Sequence, residues 1–417
     1  MQTFQVWQNA WKDGYDEPLT LSLPDEWKVE QHAMQGDSWP KLTKEQIREK
    51  ILHPIGMETI RELAQKGSEA CIVFDDLSRG THTQEIAEVV LEELHAGGIT
   101  REHIRFICAL GTHAAHTRAD FVRKLGEYIV ENYPVFNHNP FFNLEQIGVD
   151  KCGNPVEINR EFMMCDVRIG IGSVAPHPMN GYGGGGKILF PGIASAITTM
   201  HNHSRGEFNG VGNRKPSGLR LDIESMTRMV GSFFKIDAIL NAKLDTIDLY
   251  AGDPVEEYNA ATASSSAANA MEYGERKDVV IANANAKFNE ALIAVAIANM
   301  ELKPGGDIVL VNHCPCGQVV HYTYAPFGLF QGGRLWQPYE KRDKSPCGRI
   351  IYYSPFLEYT TPMAFNEPEK VVLAKTWDDV LRLLSNHGPG TTASVLSDGS
   401  IGYFPAFLKA SMNTDKT

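Results

Sequence analysis

The chain has 417 residues, of which 43% are hydrophobic, and it carries a formal net charge of −12. This length exceeds one ordinary core, so we expect two or three domains. The acidic balance, without a long run of Lys or Arg, argues against a nucleic acid or a membrane surface as partner. The N-terminal stretch lacks the pattern of a signal peptide, and no apolar run reaches the length of a bilayer span. We therefore expect a soluble, cytoplasmic protein.

The first half of the chain alternates strand and helix patterns. Residues 70–76, 103–110 and 166–174 are short apolar runs typical of buried strands. Residues 81–99 carry apolar side chains at helical spacing and end at two glycines. Such an alternation favours a parallel sheet with helices on both faces.

A second series of the same kind begins near residue 271. The predicted strands are residues 278–285, 305–314, 348–355 and 370–376, and the predicted helices are residues 287–302 and 377–388. The preceding Ala/Ser-rich stretch, residues 259–270, suits either a helix or a linker. The predicted fold class is α/β with two domains, 1–270 and 271–417. Each is expected to be a mostly parallel sheet flanked by helices, with an active-site cleft between them.

Seven cysteines are scattered along the chain, an odd number that fits reduced thiols better than a disulfide framework. Cys314 and Cys316 are separated only by Pro315 and are poorly placed to bridge each other. A structural or incidental role is the expected one.

Three chemically useful side chains each follow the end of a predicted strand. They are Asp76, His113 and His177. Because ligands of open α/β sheets bind beyond the carboxyl ends of the strands, we expect these three segments to meet at one rim.

The segment "HPMNGYGGGGKILFPG", residues 177–192, contains four consecutive glycines and then Lys187. Its spacing is one residue short of a nucleotide-binding phosphate loop, which needs Ser or Thr after the lysine and a helix beyond it. Pro191 and Gly192 stop a helix within one turn. A nucleotide site is thus a weaker interpretation than either a plain flexible turn or a loop that passes close beneath a ligand.

Several histidines are concentrated near these motifs: His113, His116, His177, His201 and His203. Such nitrogen ligands suit Zn, Ni, Cu or Fe, and a pair of them can also act as acid and base. Neither H-E-x-x-H nor C-x-x-C is present, so the usual zinc signatures are missing.

Arg79 lies three residues after Asp76, where the predicted helix begins. An arginine beside a helix N-terminus attracts a phosphate or a carboxylate. A salt bridge to Glu85 or Asp75 is an equally reasonable interpretation of Arg79 alone.

Together these motifs resemble the nickel-pincer lactate racemase family. The resemblance is carried by "DDLSRGTHT", "GTHAAHT", "HPMNGYGGGGKILFPGIAS" and "HNHS", and it extends from about residue 45 to 205. It implies a nickel-pincer nucleotide, a pyridinium mononucleotide with two thio-acid groups that bind Ni. Lys187 would attach this cofactor through a thioamide, and His203 would complete the nickel ligands.

The resemblance also implies roles for the other motif residues. His113 and His177 would be the acid/base pair, one on each face of a 2-hydroxy acid whose hydride leaves and returns. Gly184, Gly185, Gly186 and Thr81 would contact the cofactor. Arg79 is the candidate anchor for the substrate carboxylate, with Asp76 orienting it or a histidine.

The chain departs from the family pattern in places. Gly80 and His82 stand where the family usually has proline, and Gly184 and Gly186 replace its Ser and Ala. In "KFNEALIA", Phe288 and Asn289 would take the places of the family's Tyr-Gln substrate pair.

Leu292 would then replace the lysine of that family segment, which implies either a different or larger substrate or an anion that is held from elsewhere, by Lys287 or Arg334. His116 and His321 are extra histidines that suit a second hydroxyl, as on a sugar acid. Lactate itself is therefore not the expected substrate.

The sequence thus predicts a racemase or epimerase of a 2-hydroxy acid. A zinc metallo-hydrolase that uses the His cluster, or a non-catalytic binder of a small molecule or metal, are the alternatives. The expected partners are the small-molecule substrate, the enzymes that build the cofactor and a second copy of the chain, with neither nucleic acid nor membrane among them.

Overall fold

A computed structural model of the chain describes residues 1–10, 17–203, 210–319 and 345–408. The strands in these ranges are β1 (Gln2–Val6), β2 (Leu19–Leu23), β3 (Lys28–His32), β4 (Ala70–Asp75), β5 (Ile104–Ala109), β6 (Val135–Asn137), β7 (Leu144–Val149), β8 (Pro155–Asn159), β9 (Val167–Ser173), β10 (Pro176–His177), β11 (Gly181–Tyr182), β12 (Phe234–Leu240), β13 (Thr246–Gly252), β14 (Lys277–Asn283), β15 (Leu302–Val311), β16 (Arg349–Tyr353), β17 (Val371–Ala374) and β18 (Thr392–Leu396).

The α-helices in the same ranges are α1 (Lys44–Leu52), α2 (Ile60–Ala64), α3 (Thr83–Ala96), α4 (Arg118–Leu125), α5 (Glu127–Asn132), α6 (Arg160–Met163), α7 (Ala196–His203), α8 (Gly218–Met229), α9 (Glu256–Ala268), α10 (Leu292–Glu301) and α11 (Trp377–Leu383). Among the described residues, none of these helices has the length and apolar character needed to cross a bilayer.

The first large sheet has the strand order β13-β12-β9-β4-β5-β6. Its strands are parallel except β13, which runs antiparallel to β12. Alternate residues of β4 enter different cores: Ile72 and Phe74 pack with α3, and Cys71 and Val73 pack on the opposite face. Helices therefore cover both faces of this sheet, as the continuous apolar runs predict.

The second large sheet has the order β17-β16-β15-β14-β18-β3 and is parallel throughout. Its two faces bury separate clusters, one with α10 and the other with α11 and the β1–β2 hairpin. The predicted α/β class, with parallel sheets flanked by helices, is confirmed.

The outermost strand β3 comes from the N-terminal part of the chain, yet it pairs with β18. The two sheets otherwise follow the predicted division near residue 270, and the division into two domains stays a prediction. Hydropathy patterns identify strands but not their partners, so this pairing left no signal in the sequence.

Most predicted elements lie where they were expected, with shifted ends. The Ala/Ser-rich stretch, which suited helix or linker, belongs to helix α9. The predicted helix 287–302 begins only at Leu292, and residues 286–289 form a turn. The seven cysteines are free thiols, and the Sγ atoms of Cys314 and Cys316 lie 3.6 Å apart.

Candidate functional site

A cavity of about 1470 Å³ lies beyond the carboxyl ends of β4, β5 and β9. It is lined from the first sheet by the predicted residues Asp76, Arg79, His113, His177, Gly184, Lys187 and His203. Residues of the turn before α10, Lys287 and Glu290 among them, line it from the second sheet. The three strand ends therefore converge on one rim, as expected.

One side of the cavity is the His113 cluster, which we define as Asp76, Ser78, Arg79, His113 and Glu290. Nδ1 of His113 lies 2.5 Å from Oδ2 of Asp76, and its Nε2 lies 3.6 Å from Oε1 of Glu290. The backbone N–H of Ser78 donates to Oδ1 of Asp76 over 3.1 Å. Two carboxylates thus face one imidazole from opposite ends.

Glu290 also binds Arg79, whose Nη1 donates to its Oε2 over 2.5 Å. The same guanidinium nitrogen donates to the hydroxyl of Ser78 over 2.8 Å. Arg79 therefore forms a salt bridge, but its partner is Glu290 beside the second sheet, and not Glu85 or Asp75 as expected. Sequence reasoning missed Glu290, although it directly follows the predicted pair Phe288 and Asn289.

The electrostatics of this cluster favour a charged histidine. Burial lowers the pKa of His113, but the charge and hydrogen bond of Asp76, aided by Glu290, raise it to about 9. Burial raises the pKa of Asp76, but the charge of His113 outweighs this effect, so the pKa of Asp76 lies below its usual value. At neutral pH the pair is an imidazolium and a carboxylate.

The other side of the cavity is the His177 cluster, which we define as His177, Lys187 and Lys287. Nε2 of His177 lies 3.2 Å from Nζ of Lys187, and the backbone N–H of Met179 donates to its Nδ1 over 3.2 Å. Nζ of Lys287 donates to the carbonyl of Pro176 over 3.1 Å, one residue before the histidine. Three basic groups therefore share this side.

The pKa values of this cluster are all lowered. Burial, followed by the charges of Lys187 and Lys287, lowers the pKa of His177 well below its usual value. Burial and the nearby charges of Arg220 and Arg79 do the same to the pKa of Lys187. The proximity of like charges and the loss of water both disfavour the protonated forms. His177 is thus neutral where His113 is charged.

The four consecutive glycines, residues 183–186, directly precede Lys187 in a tightly packed loop. Gly184 has a φ of +83°, and a Cβ there would collide with the side chain of Val174. The N–H of Gly185 donates to Oδ2 of Asp237 over 2.6 Å, and Arg220 donates to the carbonyl of Gly184 over 3.2 Å. Residues 185–188 form a single 3₁₀ turn, so the segment does not open an α-helix as a phosphate loop does.

Gly183 and Gly184 line the cavity, whereas Gly185 and Gly186 are buried. A Cβ at Gly186 would collide with Thr227 on α8. The glycines therefore allow close packing of the loop on the protein itself. Their predicted contact with a cofactor stays a prediction.

His203 ends helix α7 and also lines the cavity. Its Nδ1–H donates to the carbonyl of Thr199 over 3.1 Å. Burial and the charge of Lys187 lower the pKa of His203 to about 4. The ring is therefore neutral, with its lone pair on Nε2, as a metal ligand requires.

Besides Gly185 and Gly186, three predicted site residues do not line the cavity. The Thr81 hydroxyl donates to Oδ2 of Asp75 over 2.5 Å and supports the loop after β4. Phe288 is buried, and its carbonyl accepts from Asn312 over 2.7 Å, while Asn289 lies beside it in the turn. Their cofactor and substrate roles stay predictions.

The additional histidines and cations are placed as follows. Nε2 of His116 accepts the N–H of Leu77 over 3.0 Å, so His116 supports a loop and does not line the cavity. His321 and Arg334 lie outside the described residues. In the part of the chain that the structure describes, the group with metal-ligand spacing is Glu30, His32 and Glu301, away from the cavity.

Residues 15–213 match the family of lactate racemase N-terminal domains. This segment belongs to that family. It contains Asp76, His113, His177, Lys187 and His203, so the predicted family resemblance is confirmed.

Two curated lactate racemases are similar to the chain. That of Lactiplantibacillus plantarum is 31% identical over 221 residues, 51% of this chain and 52% of the relative. That of Thermoanaerobacterium thermosaccharolyticum is 24% identical over 243 residues, 56% of this chain and 57% of the relative. The matched regions span about half the length of these relatives.

Two solved structures share the fold. The lactate racemase apoprotein of T. thermosaccharolyticum has a TM-score of 0.73 and 17% identity, covering 97% of this chain and 100% of that one. A Thermotoga maritima protein has a TM-score of 0.62 and 17% identity, covering 89% of this chain and 99% of that one. At this identity the likeness extends to the fold alone, and it includes both large sheets.

Proposed function

We propose that this protein is a racemase or epimerase of a 2-hydroxy acid. The observation that carries the proposal is the opposite surroundings of two histidines on one cavity: carboxylates face His113, and lysines lie beside His177. Environments that push two pKa values apart assign one group as acid and the other as base. Inverting a carbinol carbon needs that pair, because the hydroxyl proton leaves on one face and returns on the other.

The two histidines have defined tasks in this scheme. His113 keeps Nδ1–H on Asp76 and gives its proton from Nε2 to the oxygen of the planar keto acid. His177 accepts the hydroxyl proton of the incoming acid. If it does so at Nε2, the ring carries its other proton on Nδ1, and the contact with the Met179 N–H must break.

The residues of the cavity fit the lysine-bound nickel-pincer nucleotide that the family implies. Burial lowers the pKa of Lys187 and so favours its neutral amine, the form that becomes acylated. Neutral His203 is a suitable nickel ligand on the same cavity. A Cβ on Gly183 would meet only the carbonyl of Ala175, at 3.7 Å, so a glycine keeps that space open.

When bound, the cofactor supplies a pyridinium ring that accepts the hydride from C2 of the substrate. The chain's own contribution is to bind it through Lys187 and His203 and to exclude water from the reacting carbon. Acylation also makes the Lys187 nitrogen permanently uncharged, so it can no longer lower the pKa of His177. The proposal also includes closure of the two predicted domains over the cavity and maturation by cofactor-building enzymes. It further includes a homo-oligomeric state and a cytoplasmic location.

The test is the intact mass of the full chain co-expressed with the cofactor-building enzymes, followed by a peptide map of residues 177–203. We expect added mass on Lys187 with nickel in the protein, and loss of both in Lys187→Ala. Lys287→Met, a second cavity lysine, should keep the added mass and serves as the matched control.

The loaded protein should also interconvert the enantiomers of a 2-deuterated hydroxy acid with the deuterium retained. Retention follows because the hydride returns to the substrate without exchange with water. An unmodified Lys187 beside a modified control racemase, or deuterium lost to solvent, would contradict the proposal.

A further inference from the structure

We propose that Lys287 is the cation that holds the substrate carboxylate in this chain. The inference rests on the 2-hydroxy-acid function proposed above and deepens it. The motif comparison places Leu292 where the family has a substrate-binding lysine, and Leu292 does line the cavity. An apolar side chain there cannot hold an anion, so the charge must come from elsewhere.

Lys287 has the required position. It is only 4% exposed, it lines the cavity, and it lies in the turn that precedes Leu292, the first residue of α10. Its Nζ donates to the carbonyl of Pro176, whose neighbour in β10 is His177. In a 2-hydroxy acid the carboxylate is bonded to the carbon that bears the hydroxyl. The anchor must therefore lie beside the proton-accepting histidine, as Lys287 does.

Lys287 also has bonding capacity left. An ammonium has three N–H donors, and within the described residues its one hydrogen bond is to Pro176. No described carboxylate lies within 4.0 Å of its Nζ, unlike the buried lysines Lys124 and Lys235, which each have an aspartate partner. A buried cation without a counter-charge is costly, and an incoming carboxylate removes that cost.

Arg79, the anchor expected from the sequence, is in a different state. Glu290 already neutralises its charge at 2.5 Å, and Ser78 accepts a further hydrogen bond. A substrate carboxylate at Arg79 would have to displace Glu290 or lie against it as a like charge. Lys287 is therefore the better anchor of the two.

The experiment compares glycolate with its neutral amide, glycolamide, by calorimetric titration of the purified full-length protein at pH 7. Both probes have the same size and hydroxyl, so the ratio of their affinities reports the carboxylate alone. We expect the wild type to prefer glycolate by about 10- to 100-fold, the range of a hydrogen bond to a charged group. Lys287→Met should lose this preference.

The other variants decide between the candidate anchors. Arg79→Gln and the surface control Lys303→Met should keep the preference for glycolate. Lys287→Arg, which retains the charge, should keep most of it, and Lys287→Gln provides a polar variant should the methionine variant fail to fold. Loss of the preference in Arg79→Gln with retention in Lys287→Met would overturn the inference, as would a wild type without any preference.

The two proposals fail separately. Binding of glycolate does not depend on modification of Lys187, and the mass of the co-expressed protein does not depend on Lys287. A modified Lys187 with no carboxylate preference would leave the proposed function standing and refute the anchor. A carboxylate preference with Lys187 unmodified would do the reverse.

Discussion

The two sides of the cavity place the same residue type in opposite states. His113 and His177 are both partly buried, and the loss of water lowers the pKa of both rings. The sign of the neighbouring charge decides the outcome: two carboxylates face His113, and two lysines accompany His177. A histidine's role in catalysis is therefore set by its partners more than by its own exposure.

Replacing Asp76, the nearer of the two carboxylates at His113, should have the largest effect on turnover. In Asp76→Asn the pKa of His113 should fall from about 9 towards its ordinary value, since only Glu290 then opposes the effect of burial. Turnover by the loaded enzyme should fall about 10²-fold, the lower range for loss of an acid/base group. Histidine NMR titration and initial rates measure the two effects.

Asp120→Asn is the control for that change, because this aspartate caps α4 and does not contact His113. It should leave both the titration of His113 and the rate within about twofold of wild type. A His113 that still titrates near 9 in Asp76→Asn would show that the two sides do not differ through this carboxylate.

The support of the His177 cluster can be tested through its glycine loop. Gly184→Ala should lower the free energy of unfolding by about 2–4 kcal/mol, because a positive φ is strained for alanine and its Cβ would collide with Val174. Gly390→Ala is the matched control, since Gly390 has a φ of +82° and no atom within 4 Å of its Cβ position. Denaturant unfolding of both variants separates the collision from the backbone strain. Equal losses would mean that the loop yields without cost.

The pH dependence of carboxylate binding should follow Lys287. Burial and then the charge of Arg79, against Glu290 and Asp398, lower the pKa of Lys287 to about 8. The charged form is thus present below pH 8 and lost above it, and glycolate affinity should fall roughly tenfold between pH 7 and pH 9. His177 faces the same space but is already neutral in this range. His113 lines the same cavity and loses its charge near pH 9, so in Lys287→Arg only a smaller decline close to pH 9 should remain. An undiminished decline in that variant would assign it to another group.

The smallest change is expected from Glu290→Gln. Its Oε1 is 3.6 Å from the His113 ring, against 2.5 Å for Asp76, so the pKa of His113 should fall by less than in Asp76→Asn. Turnover should fall by about tenfold or less. A larger loss than that of Asp76→Asn, in the same NMR and rate measurements, would reverse the ranking of the two carboxylates.

Local pattern in the sequence was enough for the fold class, for seven strands of the two large sheets and for the motif residues that meet at the cavity. Asp76, His113 and His177 follow strand ends, and a parallel sheet necessarily gathers such ends along one edge. The apolar spacing of α3 likewise predicted that Ile86, Val90 and Leu94 are buried. These features depend on neighbours in the sequence.

Glu290 could not be predicted in this way, because its partner Arg79 lies 211 residues earlier. The helical pattern of residues 287–302 also misled at its start. The backbone N–H groups of Ala286 and Lys287 donate to Asp398 and Ser400, distant residues that hold the turn open before α10. That turn is what brings Lys287 and Glu290 to the cavity.

The pairing of β3 with β18 constrains how the chain is made. The two strands are separated by about 360 residues, so at roughly 5–20 residues per second β18 leaves the ribosome many seconds after β3. Until then the apolar side chains that precede β3, among them Leu21, Leu23 and Trp27, lack the complete cluster that buries them in the folded protein. β3 and the strand pair before it are therefore secured only late in synthesis, and their apolar side chains stay accessible to chaperones until then.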